Sequence, residues 1–255
     1  MLLKKIINKI LKIFNLRLIK DDVSGVIDKR LLIPFQKYNK KYELYFEGLN
    51  KSKNNSSDNF FKQSRHLDLM TLAEIVLRNK ITGDFVETGC WKGHSSYFLS
   101  KLISKYNDKD IEFHIFDSFE GLSKNTEKDT NLNKLSNKQI NQVRSIFVSD
   151  ENFVKNIVLS EFSFIKIYKG WIPEKFNLVK NCKFSFVHID VDLYEPTLMT
   201  LEFFYPRLSN GGIIVCDDYN SLEFDGAKKA WDEFFSNKKV NFNFAPSLGS
   251  SFIIK

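Results

Sequence analysis

From Arg65 onward the apolar positions fall into a repeating order. Leu67, Leu69, Met70, Leu72, Ala73, Val76 and Leu77 recur at helical spacing, and Thr82-Gly83 close the connection behind them. Short apolar runs then alternate with helical stretches. The pattern predicts strands at residues 84–87, 112–117, 164–168, 184–190 and 213–217, with helices starting from His94 and Pro196. This rhythm implies an α/β fold around a mostly parallel sheet. The end of the chain breaks it. A helix over residues 226–235 is followed by runs at 240–245 and 251–254 around Pro246-Ser-Leu-Gly249, which predict an antiparallel hairpin on the sheet edge.

Three regions stand outside the rhythm. At 100° per residue, Leu3, Ile6, Ile7, Ile10, Leu11 and Phe14 share one face, opposite Lys4, Lys5, Asn8, Lys9, Lys12 and Asn15. This predicts a basic amphipathic helix over residues 1–20, with no apolar run long enough for a membrane span or a signal-peptide core. Such a helix fits two surfaces, an anionic membrane face or another protein surface such as a second subunit. Residues 21–64 form a polar extension, with Lys51-Ser-Lys-Asn-Asn-Ser-Ser57 as an exposed loop. Residues 123–160, rich in Lys, Asn and Asp, are inserted between the second and third strands and read as a lid or as a solvated helical excursion.

Composition narrows the partners. The 255 residues are 43% hydrophobic and 27% charged, which suits one large α/β domain over residues 65–255 with additions. A net charge of +7 first suggests nucleic acid, but six cations and no acid lie within residues 1–20. The body is left nearly neutral, with no basic stripe to follow phosphates, so no nucleic-acid partner is expected. Cys90, Cys182 and Cys216 lack C-x-x-C spacing and read as reduced thiols of a cytoplasmic protein, with no zinc site.

The chemistry gathers at predicted strand ends. Phe186-Val-His-Ile-Asp-Val-Asp-Leu-Tyr-Glu195 carries Asp190 and Asp192 where its apolar run stops, and Gly211-Gly-Ile-Ile-Val-Cys-Asp-Asp-Tyr219 carries Asp217 and Asp218. An α/β fold places its site at the carboxyl edge of the sheet. If the two strands are neighbours, about 4.8 Å apart, the four acids converge. Such a cluster is costly without a cation or a shared proton.

Phe85-Val-Glu-Thr-Gly-Cys-Trp-Lys-Gly-His-Ser-Ser96 is a strand, a tight turn and a helix start. Its G-x-x-x-G spacing differs from the G-x-G-x-x-G of dinucleotide sites, and Glu87 would repel a phosphate. That carboxylate suits an ammonium group, and Ser95 and Ser96 at the helix start suit a carboxylate. Asp117 and Ser118 close the next strand near the spacing at which an acid reads ribose hydroxyls. Ammonium, carboxylate and ribose together describe S-adenosylmethionine. A turn of this spacing also opens helices that bind nothing; joined to Asp117 and the acid cluster, the cofactor reading is the stronger.

Five segments then resemble one family. Glu87-Thr-Gly-Cys-Trp-Lys-Gly-His-Ser-Ser96, Phe116-Asp-Ser-Phe-Glu-Gly-Leu122, Lys169-Gly-Trp171, Ile189-Asp-Val-Asp-Leu-Tyr-Glu195 and Asp217-Asp-Tyr219 resemble the macrocin O-methyltransferases, which methylate sugar hydroxyls in antibiotic biosynthesis. The resemblance covers residues 65–255. It departs at Val191 and His94, where the family usually carries small residues. It implies a Rossmann-like class I methyltransferase fold with a seven-stranded sheet. It also implies a cofactor cradle of Glu87, Thr88, Gly89, Ser95, Ser96, Asp117 and Ser118. Asp190, Asp217 and Asp218 would hold Mg²⁺, and Asp192 would act as general base. The expected substrate is a sugar or glycosylated metabolite, handled by a homo-oligomer. The rivals are a catechol-type O-methyltransferase, since Mg²⁺ also chelates vicinal phenolic oxygens, and a dinucleotide-dependent sugar oxidoreductase. His188 reads as a hydrogen-bonded core residue rather than a ligand.

Overall fold

The structure is a computed structural model that describes residues 16–18, 26–28, 40–106, 110–238, 240, 242–244 and 250–255. It divides into two units, residues 1–44 and residues 45–255. In the first, β1 (Leu16–Leu18) pairs antiparallel with β2 (Val26–Asp28). The helix expected over residues 1–20 is thereby corrected at its end: Leu16-Arg17-Leu18 alternates with the period of a strand. The amphipathic residues 3–14 lie outside the described residues. Helix α1 (Lys40–Lys51) leads into the second unit.

That unit carries the expected Rossmann-like sheet, in the order β5-β4-β3-β6-β7-β9-β8. Its strands are β3 (Asp84–Thr88), β4 (Phe113–Asp117), β5 (Ile165–Lys169), β6 (Phe184–Ile189), β7 (Leu208–Cys216), β8 (Phe242–Phe244) and β9 (Ser251–Ile254). The first five are parallel; β9 runs antiparallel to both β7 and β8, as the hairpin pattern predicts. Strand order reverses between β3 and β6, and their carboxyl ends open the crevice where such folds bind ligands.

Both sheet faces are covered, which is why the strands read as nearly unbroken apolar runs. On one face Phe85, Phe113, Phe186 and Ile213 lie in register and are fully buried. Helices α2 (Phe60–Arg78) and α3 (His94–Tyr106) add buried Leu69, Met70 and Phe98 to the core. On the other face Val86, Phe116, Val187 and Ile214 join Leu201 and Phe204 of α5 (Tyr194–Phe204) and Trp231 of α6 (Gly226–Phe235). Helix α2 starts ahead of the change of pattern at Arg65, because the Asn59 side chain caps it by accepting from Lys62 N at 2.9 Å.

Residues 123–160 form helix α4 (Asn137–Ile146), started by a reciprocal Ser136–Gln139 capping box, and shorter turns on either side. The segment is anchored at a few buried points, while most of its residues are exposed or half-buried. Leu132 and Ile140 pack with Leu193 and Phe224, and Asp129 Oδ1 accepts from Tyr194 N at 2.9 Å. Among the described residues no helix is long and apolar enough to cross a membrane.

Candidate active site

The turn after β3 sets the site. Gly89 has φ +81°, and a Cβ there would stand 1.8 Å from the carbonyl oxygen of Asp190. Only glycine lets the β3 turn approach the end of β6 so closely. Asp117, at the tip of β4, holds the turn open from the other side. Its Oδ2 accepts from Cys90 N at 2.7 Å and Trp91 N at 2.9 Å, and its Oδ1 accepts from Phe119 N at 2.7 Å. A carboxylate offers about four acceptor positions, so one remains for a ligand hydroxyl. Ser118 braces the next loop by donating to Gly121 O at 3.2 Å and accepting from Glu120 N at 3.1 Å.

A cleft lies over this edge. Gly89, Trp91, Asp117 and Ser118 form one part of its wall, Asp190, Val191 and Asp192 another. Phe147 from the inserted segment and Trp171 also line it, so the insert walls the site. The Trp91 indole Nε1 is buried without a hydrogen-bond partner, as a donor awaiting a bound acceptor would be.

The four acids converge, because β6 and β7 are neighbours in register up to Ile189 and Cys216. Oxygens of Asp190, Asp217 and Asp218 lie within 4.8 Å of one another. Asp192 follows in a left-handed conformation, φ 60°, with its N–H donated to Asp218 Oδ2 at 3.0 Å. A non-glycine residue in that region carries local strain, of the kind found where a side chain is aimed at a site. Burial, with Asp217 and Asp218 close by, pushes Asp190 well above the usual carboxylate range. Burial with Asp218 and Asp190 does the same to Asp192. Asp218 is raised to about 6 by burial and by Asp217. Three hard oxygen donors, mutual repulsion and an unpartnered buried Asp217 Oδ1 are what a divalent cation such as Mg²⁺ fits.

A model of the macrocin O-methyltransferase family matches residues 55–245.

The chain belongs to that family.

Its curated relatives include "8-demethyl-8-(2,3-dimethoxy-alpha-L-rhamnosyl)-tetracenomycin-C 4'-O-methyltransferase" of Streptomyces olivaceus, 30% identical over 60% of this chain and 59% of the relative. Another is mycinamicin III 3''-O-methyltransferase of Micromonospora griseorubida, 28% identical over 60% of this chain and 61% of the relative. The chain thus spans about three-fifths of the length of the curated relatives it matches. Among solved structures, the O-methyltransferase NovP superposes with a TM-score of 0.63 and 22% identity, over 75% of this chain and 79% of that one, which shows a shared fold.

The structure redistributes the residues read as the family's cofactor cradle. Gly89, Asp117 and Ser118 reach the cleft. Glu87, Thr88 and Ser96 are fully buried in the layer beneath it, and Ser95 nearly so. Glu87 Oε1 lies 2.9 Å from His188 Nδ1, and Ser96 Oγ donates to Glu87 Oε2. In this structure the group that Glu87 pairs with is therefore His188. The reason is the pleat: residue 87 stands opposite residue 188 on the face covered by α3. Burial opposes charge on His188, but the carboxylates of Asp217 and Glu87 outweigh it and raise its pKa to about 10. His188 Nε2 stands 3.9 Å from Asp217 Oδ1, a separation for ionic attraction rather than a hydrogen bond.

Helix α2 completes the site with residues the strand-end reading missed. Arg65 Nη1 is 3.0 Å from Asp217 Oδ2 and 3.9 Å from Asp218 Oδ1. Against the cost of burial, Arg65 and His188 hold Asp217 below the usual carboxylate range. Lys62 donates to Ser57 Oγ at 2.7 Å and lies 5.8 Å from the Trp91 ring. Burial lowers its pKa to about 8, although Asp190 pulls the other way. Lys62, Arg65 and His66 share the i, i+3, i+4 spacing of one helix face, a run of basic-type residues at the start of the helix. That run was the available signal.

These shifts carry a pH dependence. Asp190, Asp192 and Asp218 are raised, so without a cation the folded chain holds protons that the unfolded chain releases. A divalent ion bound at Asp190, Asp217 and Asp218 would have to displace those on Asp190 and Asp218. Its stabilising effect is full where the acids are ionised and fades as pH falls through about 6, the value for Asp218. The rise in unfolding temperature on adding Mg²⁺ is expected to shrink toward acid. A rise independent of pH would take the ion away from these carboxylates.

Proposed function

We propose that this chain is a Mg²⁺-dependent O-methyltransferase that moves the methyl group of S-adenosylmethionine to a hydroxyl of a sugar or glycosylated metabolite. The observation that carries the reading is the convergence of Asp190, Asp217 and Asp218 beside Asp192, at the edge of a cleft that also contains the Gly89 turn. Family membership supports it, as do the relatives named for sugar O-methylation.

Asp190, Asp217 and Asp218 would hold the ion. Bound there, Mg²⁺ supplies positive charge that lowers the pKa of a sugar hydroxyl, and S-adenosylmethionine supplies the methyl group. The chain's residues do the rest. Asp192 would take the hydroxyl proton, which frees the oxygen to accept the methyl group that S-adenosylmethionine would give up from its sulfur. Arg65 and His188 hold Asp217 ionised at one end of the cluster. Asp117 keeps the turn in shape and offers its remaining acceptor position to the ribose. Trp91, Phe147 and Trp171 form apolar walls that keep water from the reacting atoms.

A screen with labelled S-adenosylmethionine, Mg²⁺ and panels of sugar glycosides, nucleotide sugars and catechols tests this reading. Label is expected in glycosides or nucleotide sugars, abolished by a chelator and restored by Mg²⁺. Transfer to catechols alone would establish the catechol reading. NADH binding without S-adenosylhomocysteine binding would reject methyl transfer altogether.

A further inference from the structure

A second cluster of ligand-type side chains lies at the opposite edge of the sheet. Asp84 is the first residue of β3, His114 lies in β4, and Cys182 stands two residues ahead of β6. Residue 114 pairs with 86, so Asp84 and His114 share one face of the sheet, and Cys182 approaches them from the loop ahead of β6. A carboxylate oxygen, an imidazole nitrogen and the sulfur lie within 4.8 Å of one another. We propose that Asp84, His114 and Cys182 bind a transition-metal ion of the zinc class, which ties together the amino-terminal ends of the central strands. This site is independent of the acid cluster and has no part in methyl transfer.

The donor set selects the metal. A soft sulfur and an imidazole beside one carboxylate suit zinc rather than magnesium or calcium, which prefer oxygen alone. The geometry agrees. His114 Nε2 is 3.3 Å from Asp84 Oδ2, longer than the common N–H···O separation of about 2.9–3.0 Å. In a tetrahedron with ligands about 2.0–2.1 Å from zinc, neighbouring ligand atoms are about 3.3–3.4 Å apart. The other imidazole nitrogen, Nδ1, lies 3.0 Å from Tyr168 Oη, the outer contact that fixes the ring of a metal-bound histidine.

Glu112 Oε2 lies 3.8 Å from His114 Nε2 but accepts from Lys166 Nζ at 2.7 Å, so the fourth position of the shell is left to water. His114 is almost wholly buried while Asp84 and Glu112 are partly exposed, which leaves the ion a way in. Cysteine spacing hid this set, since its three members are far apart in sequence and meet only across strands.

The test uses the full chain, reduced, with Mg²⁺ in excess so that the acid cluster is filled by a hard cation. Titration with Co²⁺ is expected to give a saturable sulfur-to-cobalt charge-transfer band in the near ultraviolet, displaced by Zn²⁺ at one equivalent. Cys182→Ser is expected to lose the band. Asp84→Asn, which keeps the shape but weakens the ligand, is expected to bind Co²⁺ at least tenfold more weakly. Absence of the band in the unmodified chain, or its persistence in Cys182→Ser, would overturn the site.

Discussion

Asp192→Asn is expected to lower methyl-transfer turnover by about 10²–10⁴, the range for loss of a general base. The variant keeps the residue's size and its backbone N–H, which holds Asp218 at 3.0 Å, so the ion site survives. Binding of S-adenosylhomocysteine and the Mg²⁺-induced rise in unfolding temperature should therefore match the unmodified chain. Asp192 suits the role by position: it lines the cleft with Asp190 but lies outside the three-oxygen cluster. Calorimetry and steady-state kinetics on the same preparation separate these effects. Turnover near the unmodified level would move the base elsewhere in the cleft.

Asp217→Ala should cost both activity and stability. Asp217 is the hub of a buried chain of charges that runs from Glu87 through His188 and Asp217 to Arg65. Removing one partner of a buried ion pair costs about 3–5 kcal/mol, because the other charge is left without compensation. The lower end applies here, since His188 keeps Glu87 and Arg65 keeps Asp218 at 3.9 Å. Urea unfolding measures the loss, and the Mg²⁺-induced rise in unfolding temperature should vanish with it. A variant with an unchanged unfolding midpoint, or one still stabilised by Mg²⁺, would remove Asp217 from the centre of the site.

Much of this arrangement was legible in the chain. The parallel sheet, the closing hairpin and the acids at two strand ends follow from local patterns: apolar runs of strand length, helical spacing between them, and charge where each run stops. Family membership rested on short segments whose order survives in sequence. The inserted segment was visible as an insertion, yet its packing was not, because a few buried residues such as Leu132 and Ile140 outweigh a polar composition.

What the sequence determined by itself is where the chemistry-bearing residues stand along each element, since alternation and turn residues act over a few positions. Gly89, Asp117 and the acids at positions 190, 192, 217 and 218 were identifiable in this way. Which side chains meet was decided only by the tertiary structure. Glu87 faces His188, 101 residues away, because strand register places them side by side in the sheet. Arg65 reaches Asp217 from a helix 152 residues earlier in the chain. Asp84, His114 and Cys182 come together only when three strand beginnings lie in register. Such contacts depend on strand order and helix packing, which arise from burying the whole apolar surface at once, and no local pattern encodes the partner.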